Sequence, residues 1–488
     1  MMQLPFDNSY AALPDRMFAR TLPARPPQPA LVRLNRDLAR QLGLDPDWLS
    51  SAEGLDFLSG RTIAEGSDPI AQAYAGHQFG HFVPQLGDGR AILLGEVVDR
   101  DGRRRDIQLK GAGQTLFSRG GDGRAVLGPV LREYVVSEAM AALGIPTTRA
   151  LAALTTGEEV YRETVLPGAI LVRTAASHIR VGTFQYFAVR DDVDALRSLA
   201  THVIARHYPV AADEDEPVLA LLKAVIDAQA DLVARWLLVG FIHGVMNTDN
   251  CSVAGETIDY GPCAFMDHYD PATVFSSIDR MGRYAYGNQP RIAQWNLARL
   301  AEALVPLLGD DQDAAIEKAQ DALAAFVPRF EQSYHDGLRR KLGLFTAEDG
   351  DIALSASILD AMHRQEGDFT LFFRSLGRAA DGDDQPARSL FTDPTAFDQW
   401  AAGWRVRLSR EDPAPARRAS MDSVNPAYIP RNHRIEAMIR AAVEERDFAP
   451  FELLLEVLAR PYEERPGLEP FAQPPLPHER VAATFCGT

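Results

Sequence analysis

The chain has 488 residues, enough for roughly two to four compact units, and its 46% apolar and 24% charged side chains exclude a collagenous, coiled-coil or disordered chain. Sixty-seven acidic against fifty basic side chains give a formal net charge of −17, which repels nucleic-acid phosphates and anionic lipid, so neither nucleic acid nor membrane is an expected partner. Cys251, Cys263 and Cys486 are too few for a disulfide framework or a structural zinc site, and the N-terminal segment lacks the apolar core of a secretory signal; the expected compartment is the reducing cytoplasm.

Residues 1–80 mix proline-rich loops with short helical patterns such as 31–42, and read as an N-terminal extension without obvious chemistry. Residues 81–190 read as a small sheet-rich unit, with β-like runs at 91–98, 105–109 and 169–173 between glycine-rich turns and one helical segment at 127–143. From 191 to 410 the apolar periodicity is helical, at 193–208, 218–243, 290–308, 311–342 and 355–364. Inside it, 250–252 and 257–259 read as the arms of a short hairpin around Ala254 and Gly255. Residues 411–488 form a C-terminal region with a helical pattern at 434–446 and a proline-rich tail that carries Cys486. The most apolar stretch, 218–246, is broken by Lys223, Asp227, Asp231 and Arg235 and is unsuited to spanning a bilayer. The predicted class is thus α+β, a sheet-rich part followed by a helical one.

An acidic chain that handles a polyphosphate must gather cations and backbone N–H groups locally. The first such gathering is Gly87-Asp88-Gly89-Arg90 leading into the 91–98 strand, followed by Lys110 and a glycine-rich loop containing Asp122 and Gly123. It reads either as an ordinary turn or as a phosphate loop, and it matches neither G-x-x-x-x-G-K-[ST] nor G-x-G-x-x-G. On the 127–143 helix, Glu133 is either a solvated carboxylate or the partner that orients Lys110. Arg173 and Arg180 are surface residues or oxyanion forks.

The most informative string runs from His243 through Gly244, Val245, Met246, Asn247, Thr248 and Asp249 to Asn250, followed by Asp259-Tyr260-Gly261. Its His-to-Asn spacing and D-x-G match the catalytic and metal loops of protein kinases, in which Asn and Asp hold Mg²⁺. The position of the kinase base, however, is Val245, which accepts no proton, and Asp249 is the nearby carboxylate able to activate a hydroxyl.

Together with these loops, the strings YAGHQFGHFVPQLGDGRA (74–91), LKGAGQTLFSRGGDGRA (109–125), GRYAYGNQPRIAQWNLARLAEAL (282–304) and NPAYIPRNHRIE (425–436) resemble the selenoprotein O family of pseudokinase-fold protein adenylyltransferases. The resemblance implies a two-lobed, protein-kinase-like fold: a nucleotide-binding small lobe over 81–190, a helical large lobe over 191–410, and terminal extensions. It implies ATP bound in inverted orientation and AMP transferred to Ser, Thr or Tyr hydroxyls of proteins, with pyrophosphate leaving and UTP as a further donor. Carried over, Gly87, Gly89, Arg90, Lys110, Asp122, Gly123, Arg173, Arg180 and Asp259 contact the nucleotide. Asn250 and Asp259 hold Mg²⁺ or Mn²⁺, Asp249 is the proton acceptor and Glu133 orients Lys110. Cys486 falls where some relatives carry selenocysteine, and a redox pairing with Cys263 follows as an expectation. The competing readings are a γ-phosphate-transferring kinase and a non-catalytic nucleotide-binding scaffold.

Overall fold

In the computed structural model, which describes residues 4–411 and 416–485, the period-2 patterning of the first third of the chain becomes an antiparallel sheet. The strands are β1 (Phe18–Arg20), β2 (Ala30–Leu34), β3 (Ile70–Gln72), the separate hairpin pair β4 (Gly76–Gln78) and β5 (His81–Val83), then β6 (Ala91–Val98), β7 (Arg104–Lys110), β8 (Ala125–Val126), β9 (Arg149–Tyr161) and β10 (Val165–Ala175). The main sheet has eight strands in the order β1-β3-β6-β7-β10-β9-β2, with β8 pairing β10. Residues 18–72, read above as an extension, thus contribute β1, β2 and β3 to the same sheet as 91–175.

Strand β7 shows how the sheet serves two sides. Ile107 and Leu109 enter an apolar cluster with Ile92, Leu94, Ile170 and Val172, covered by Leu38, Leu49 and Phe57 from the short N-terminal helices. The alternate residues Asp106, Gln108 and Lys110 face the other way. There the Leu127–Ala142 helix packs Leu127, Val130, Leu131 and Val135 into the larger core, beside Leu93, Ala169 and Leu171.

Beyond residue 190 the chain is helical, organised around the Pro217–Leu238 helix, which packs against Gln289–Leu304 and Phe326–Lys341. The whole is a mixed α/β protein with an antiparallel sheet. Two predicted helices are shorter than their patterns. The 218–243 run stops at Leu238 because Gly240 takes φ +75° and Phe241–Ile242 (β11) then pairs with Ala264–Phe265 (β12). The 311–342 run divides into Gln312–Ala324 and Phe326–Lys341; Pro328 lacks an N–H and its ring clashes with the carbonyl four residues back, so it fits only a new first turn.

The expected hairpin around Ala254 and Gly255 does not form. Ser252 bridges Arg180 and Thr257 bridges Thr147, so the two arms join different neighbours. Gln229 Nε2 donates to Ser252 O (2.7 Å) and Trp236 Nε1 to Thr257 Oγ1 (2.9 Å), which anchors both arms to the Pro217–Leu238 helix instead of to one another. Among the described residues, no helix is long and apolar enough to cross a membrane.

Candidate active site

Sheet register brings the first residues together. Ala91 at the start of β6 and Leu171 of β10 both lie opposite Lys110 at the end of β7, so the Gly87–Arg90 turn, Lys110 and Arg173 meet at one end of the sheet. Gly87 sits at φ +93°, and a Cβ there would lie 2.4 Å from the Phe117 ring; only glycine lets the turn lie against the 115–118 loop. Gln108, two residues before Lys110 on the same face, accepts from Arg173 Nε (2.8 Å) and donates to Asp88 Oδ2 (3.2 Å).

The Leu127–Ala142 helix supplies Glu133, whose Oε2 lies 2.5 Å from Lys110 Nζ and whose Oε1 accepts from Arg173 Nη1 at 3.1 Å. Asp259 reaches the same group from the other side of the cavity. Its Oδ1 lies 2.6 Å from Arg173 Nη1 and 3.3 Å from Lys110 Nζ, and its Oδ2 lies 3.2 Å from Arg180 Nη2. Arg180 is fully buried, anchored by the His178 carbonyl (3.0 Å), with its guanidinium 4.4 Å from the centre of the Tyr74 ring. Burial pushes the Asp259 carboxyl upward, but Arg173, Lys110 and Arg180 together outweigh it and hold the group well below the usual carboxylate range. Asp259 also adopts φ +58°, a left-handed conformation that costs a non-glycine residue about 1 kcal/mol or more and persists only where its surroundings enforce it.

The 243–250 loop is braced between β11 and a one-turn helix at Thr248–Asn250. His243 is buried, its Nε2–H donates to the Ile258 carbonyl (2.9 Å) while Nδ1 accepts from Val245 N (3.3 Å), and burial lowers its pKa, so it serves as a neutral strut. Asp249 is 8% exposed; its Oδ2 accepts from Gln78 Nε2 at 3.3 Å, and its buried Oδ1 has no hydrogen-bond partner. Burial raises this carboxyl from 3.8 to about 6. The β4–β5 hairpin fits over the loop closely: His77 N donates to Thr248 Oγ1 (2.7 Å), Phe79 N to Asn247 Oδ1 (3.0 Å), and a Cβ on Gly76 would lie 2.4 Å from Asp249 Oδ1.

These groups line one cavity of about 480 Å³. Its wall includes Gly87, Gly89, Arg90, Lys110, Asp122, Gly123, Arg173, Arg180, Asp249, Asn250 and Asp259, while Glu133 stands behind Lys110. Seven basic side chains (Arg90, Lys110, Arg119, Arg124, Arg162, Arg173, Arg180) face four acidic ones (Asp88, Asp122, Asp249, Asp259), a local excess of positive charge in a chain of net charge −17. Asp122 is paired with Arg162 (2.7 Å) and also accepts from the Arg124 N–H (2.9 Å).

The donor set fits a divalent cation. Asn250 Nδ2 donates to Val245 O (3.0 Å), which leaves its carbonyl oxygen as the end that can ligate; with the Asp259 carboxylate this makes an all-oxygen pair, suited to a hard cation that retains water and phosphate oxygens. No group of three or more His, Cys, Asp or Glu able to hold a metal occurs among the described residues.

Cys263 lies just beyond this wall, fully buried, and burial pushes its thiol up to about 12. Cys486 lies outside the described residues. The tail that precedes it is fixed at Thr484, whose Oγ1 donates to Pro262 O (2.5 Å) and whose carbonyl accepts from Ser277 N (3.0 Å).

Sequence reasoning missed Gln78, Asp88 and Gln108. Gln108 was findable, because a polar residue two places before Lys110 shares its face of the strand. Nothing near Gln78 signals a contact 171 positions away.

The family described as Protein adenylyltransferase SelO matches residues 1–459. The chain belongs to the SelO family. Among its relatives, the protein nucleotidyltransferase YdiU of Rhodopseudomonas palustris (strain BisB18) is 67% identical over 100% of both chains. The protein of that name from Bradyrhizobium sp. (strain ORS 278) is 65% identical over 100% of both, and that from Methylorubrum populi 66% identical over 99% of both. This SelO-family chain is accordingly an enzyme, a nucleotidyltransferase.

Proposed function

We propose that this SelO-family protein transfers AMP from ATP to Ser, Thr or Tyr hydroxyls of other proteins, releasing pyrophosphate, on a two-lobed kinase-like frame. The observation that carries the reading is Asp249: a buried carboxylate with a partnerless oxygen, set in the same cavity as Lys110, Arg173, Arg180 and Asp259. The strand lysine paired with a helix glutamate, the His243-to-Asn250 spacing and Asp259-x-Gly261 support the kinase-like frame. Val245 lines the cavity and cannot take a proton, which argues against ordinary γ-phosphate transfer.

In this reading the acceptor hydroxyl gives its proton to the Asp249 carboxylate as its oxygen forms a bond to the α-phosphorus. The bond from that phosphorus to the pyrophosphate oxygen breaks, and pyrophosphate carries away the electron pair. A pKa of about 6 leaves Asp249 mostly ionised at neutral pH while more basic than an exposed aspartate. Lys110, Arg173 and Arg180 neutralise charge on the α-oxygens and the leaving group, exchanging Asp259 for phosphate as partner. Bound Mg²⁺ or Mn²⁺, held by Asn250 and Asp259, would add Lewis-acid stabilisation of the phosphates.

Mass spectrometry after incubating the protein with a lysate, nucleotide and Mg²⁺ or Mn²⁺ tests the proposal. Additions of about 329 Da with ATP, absent from Asp249→Ala and Asp259→Ala, are expected; about 306 Da with UTP would show uridylyl transfer as well. Additions of about 80 Da would establish γ-phosphoryl transfer instead, and nucleotide binding without any product would leave a scaffold.

A further inference from the structure

Beside the Asp249 wall, outside the nucleotide cavity, stands a guanidinium that no carboxylate of the described residues neutralises. Arg283 lies beneath the turn of the β4–β5 hairpin, its Cζ 3.5 Å from where a Gly80 Cβ would be, 4.8 Å from the Trp295 ring centre and 5.7 Å from that of Tyr284. Among the described residues no carboxylate pairs with it, and its buried Nε has no hydrogen-bond partner. Asp279 is close in sequence, but its carboxylate accepts from the backbone N–H groups of Arg283 (2.9 Å) and Tyr284 (2.7 Å). Its neighbour on the same indole, Arg299, is by contrast paired with Glu302 at 2.6 Å. In a chain with seventeen more acidic than basic side chains, an aromatic-backed arginine left without an acid is a site shaped for someone else's.

Its position says whose. Tyr284 OH donates to Asn247 Oδ1 (2.6 Å), which also accepts from Phe79 N, and Gln78 on the same hairpin contacts Asp249. The hairpin therefore touches the proposed base at Gln78, the last residue of β4, and the unpaired guanidinium at Gly80, in the two-residue turn that follows, so both groups lie under one tight turn. Exposed apolar side chains adjoin the same rim: Ile278, 54% exposed, at the cavity mouth, and Met281, 91% exposed, just before Arg283. Arg283 is not among the residues that line the cavity.

We propose that this rim is the acceptor-docking surface, and that it selects polypeptide segments carrying Asp or Glu two or three positions from the acceptor hydroxyl, with Arg283 receiving the carboxylate. The inference rests on the adenylyl-transfer reading and names its substrate class. At about 3.3 Å per residue, two or three places of an extended segment with its hydroxyl at Asp249 cover roughly 7–10 Å, the scale of the step from the carboxylate beside Gln78 to the guanidinium under the turn at Gly80.

The test uses the full chain with ATP and Mg²⁺ and a peptide series of one acceptor hydroxyl flanked at those positions by Glu, Gln or Lys, read by AMP incorporation. The Glu peptide should exceed the Lys peptide by about tenfold or more in kcat/KM, the advantage vanishing in Arg283→Ala and inverting in Arg283→Glu. Equal labelling of the series by the wild-type protein, or an unchanged preference in Arg283→Glu, overturns the proposal. A dimer that Arg283→Glu dissolves, with peptide preference unaltered, assigns the rim to self-association and overturns it too. Should Arg283→Glu fail to fold, the wild-type ratio and its collapse at high salt decide the matter. Absence of AMP from every peptide and from lysate proteins refutes adenylyl transfer itself, and the docking proposal with it; AMP on lysate proteins with an indifferent peptide series refutes the docking alone.

Discussion

Replacing Asp249 by Asn should abolish transfer and, at neutral pH, make the protein more stable. Burial raises the Asp249 carboxyl from 3.8 to about 6, so the native fold prefers the protonated group. Below about pH 4 the carboxyl is protonated in both native and unfolded chains and carries no penalty; above about pH 6 it is ionised in both, and the fold bears the full cost of a buried charge. That cost is about 3 kcal/mol, because each tenfold weakening of the acid in the native state corresponds to roughly 1.4 kcal/mol. Asparagine removes the charge but introduces an amide N–H beside Oδ1, which lacks a partner in the native protein, so about 3 kcal/mol is a ceiling. The measurement is the difference in Tm between Asp249→Asn and wild type, without nucleotide, from about pH 5 to about pH 8. It should rise with pH through about 6 and reach a few degrees. A difference that is flat across this range, or that favours wild type at neutral pH, would refute the account of Asp249 as a costly, desolvated base.

Three further outcomes are expected. Gln78→Leu removes the donor on Asp249 Oδ2, so the carboxylate is less well stabilised and the acid limb of kcat/KM against pH moves to higher pH, by less than about one pH unit. Glu133→Gln takes away the negative charge shared by Lys110 and Arg173, and should lower kcat/KM for ATP on the order of 10²-fold while the peptide KM is unaltered. Asp259→Ala should reduce transfer by about 10²-fold or more, without rescue by excess Mg²⁺ or Mn²⁺, and chelation should silence the wild-type protein; turnover that survives both would discard Asp259 as a metal ligand.

What could be read from sequence follows the range of the contacts. Strand β6 lies at the predicted 91–98, because a short apolar run between two turns is a local pattern. The candidate residues from His243 to Asn250, and Asp259, were visible as spacing because each string is contiguous in the sequence, whatever path 243–263 takes between β11 and β12. Strand β9, by contrast, was not foreseen: Arg149–Tyr161 is largely buried through its first half and reads Ala-Leu-Ala-Ala-Leu, with no alternation to mark it. The β4–β5 hairpin was missed as a wall of the site for a different reason. Its hydrogen bonds to Asn247, Thr248 and Asp249 span about 170 positions, and no local pattern encodes them. The same holds for Arg283, whose isolation from acidic partners is a property of the folded surface.

The alternation along β7 carries a consequence for how this chain tolerates length change. One parity of the strand, Ile107 and Leu109, is apolar ballast under the N-terminal helices; the other, Asp106, Gln108 and Lys110, links the Arg206–His178 anchor, the Asp88–Arg173 bridge and the Asp259 knot. A single inserted or deleted residue between 105 and 110 exchanges the parities, driving a lysine and an aspartate into hydrocarbon and isoleucine among the arginines in one stroke. An indel scan should therefore show loss at every position from 105 to 110, marking the strand as a frame-locked segment.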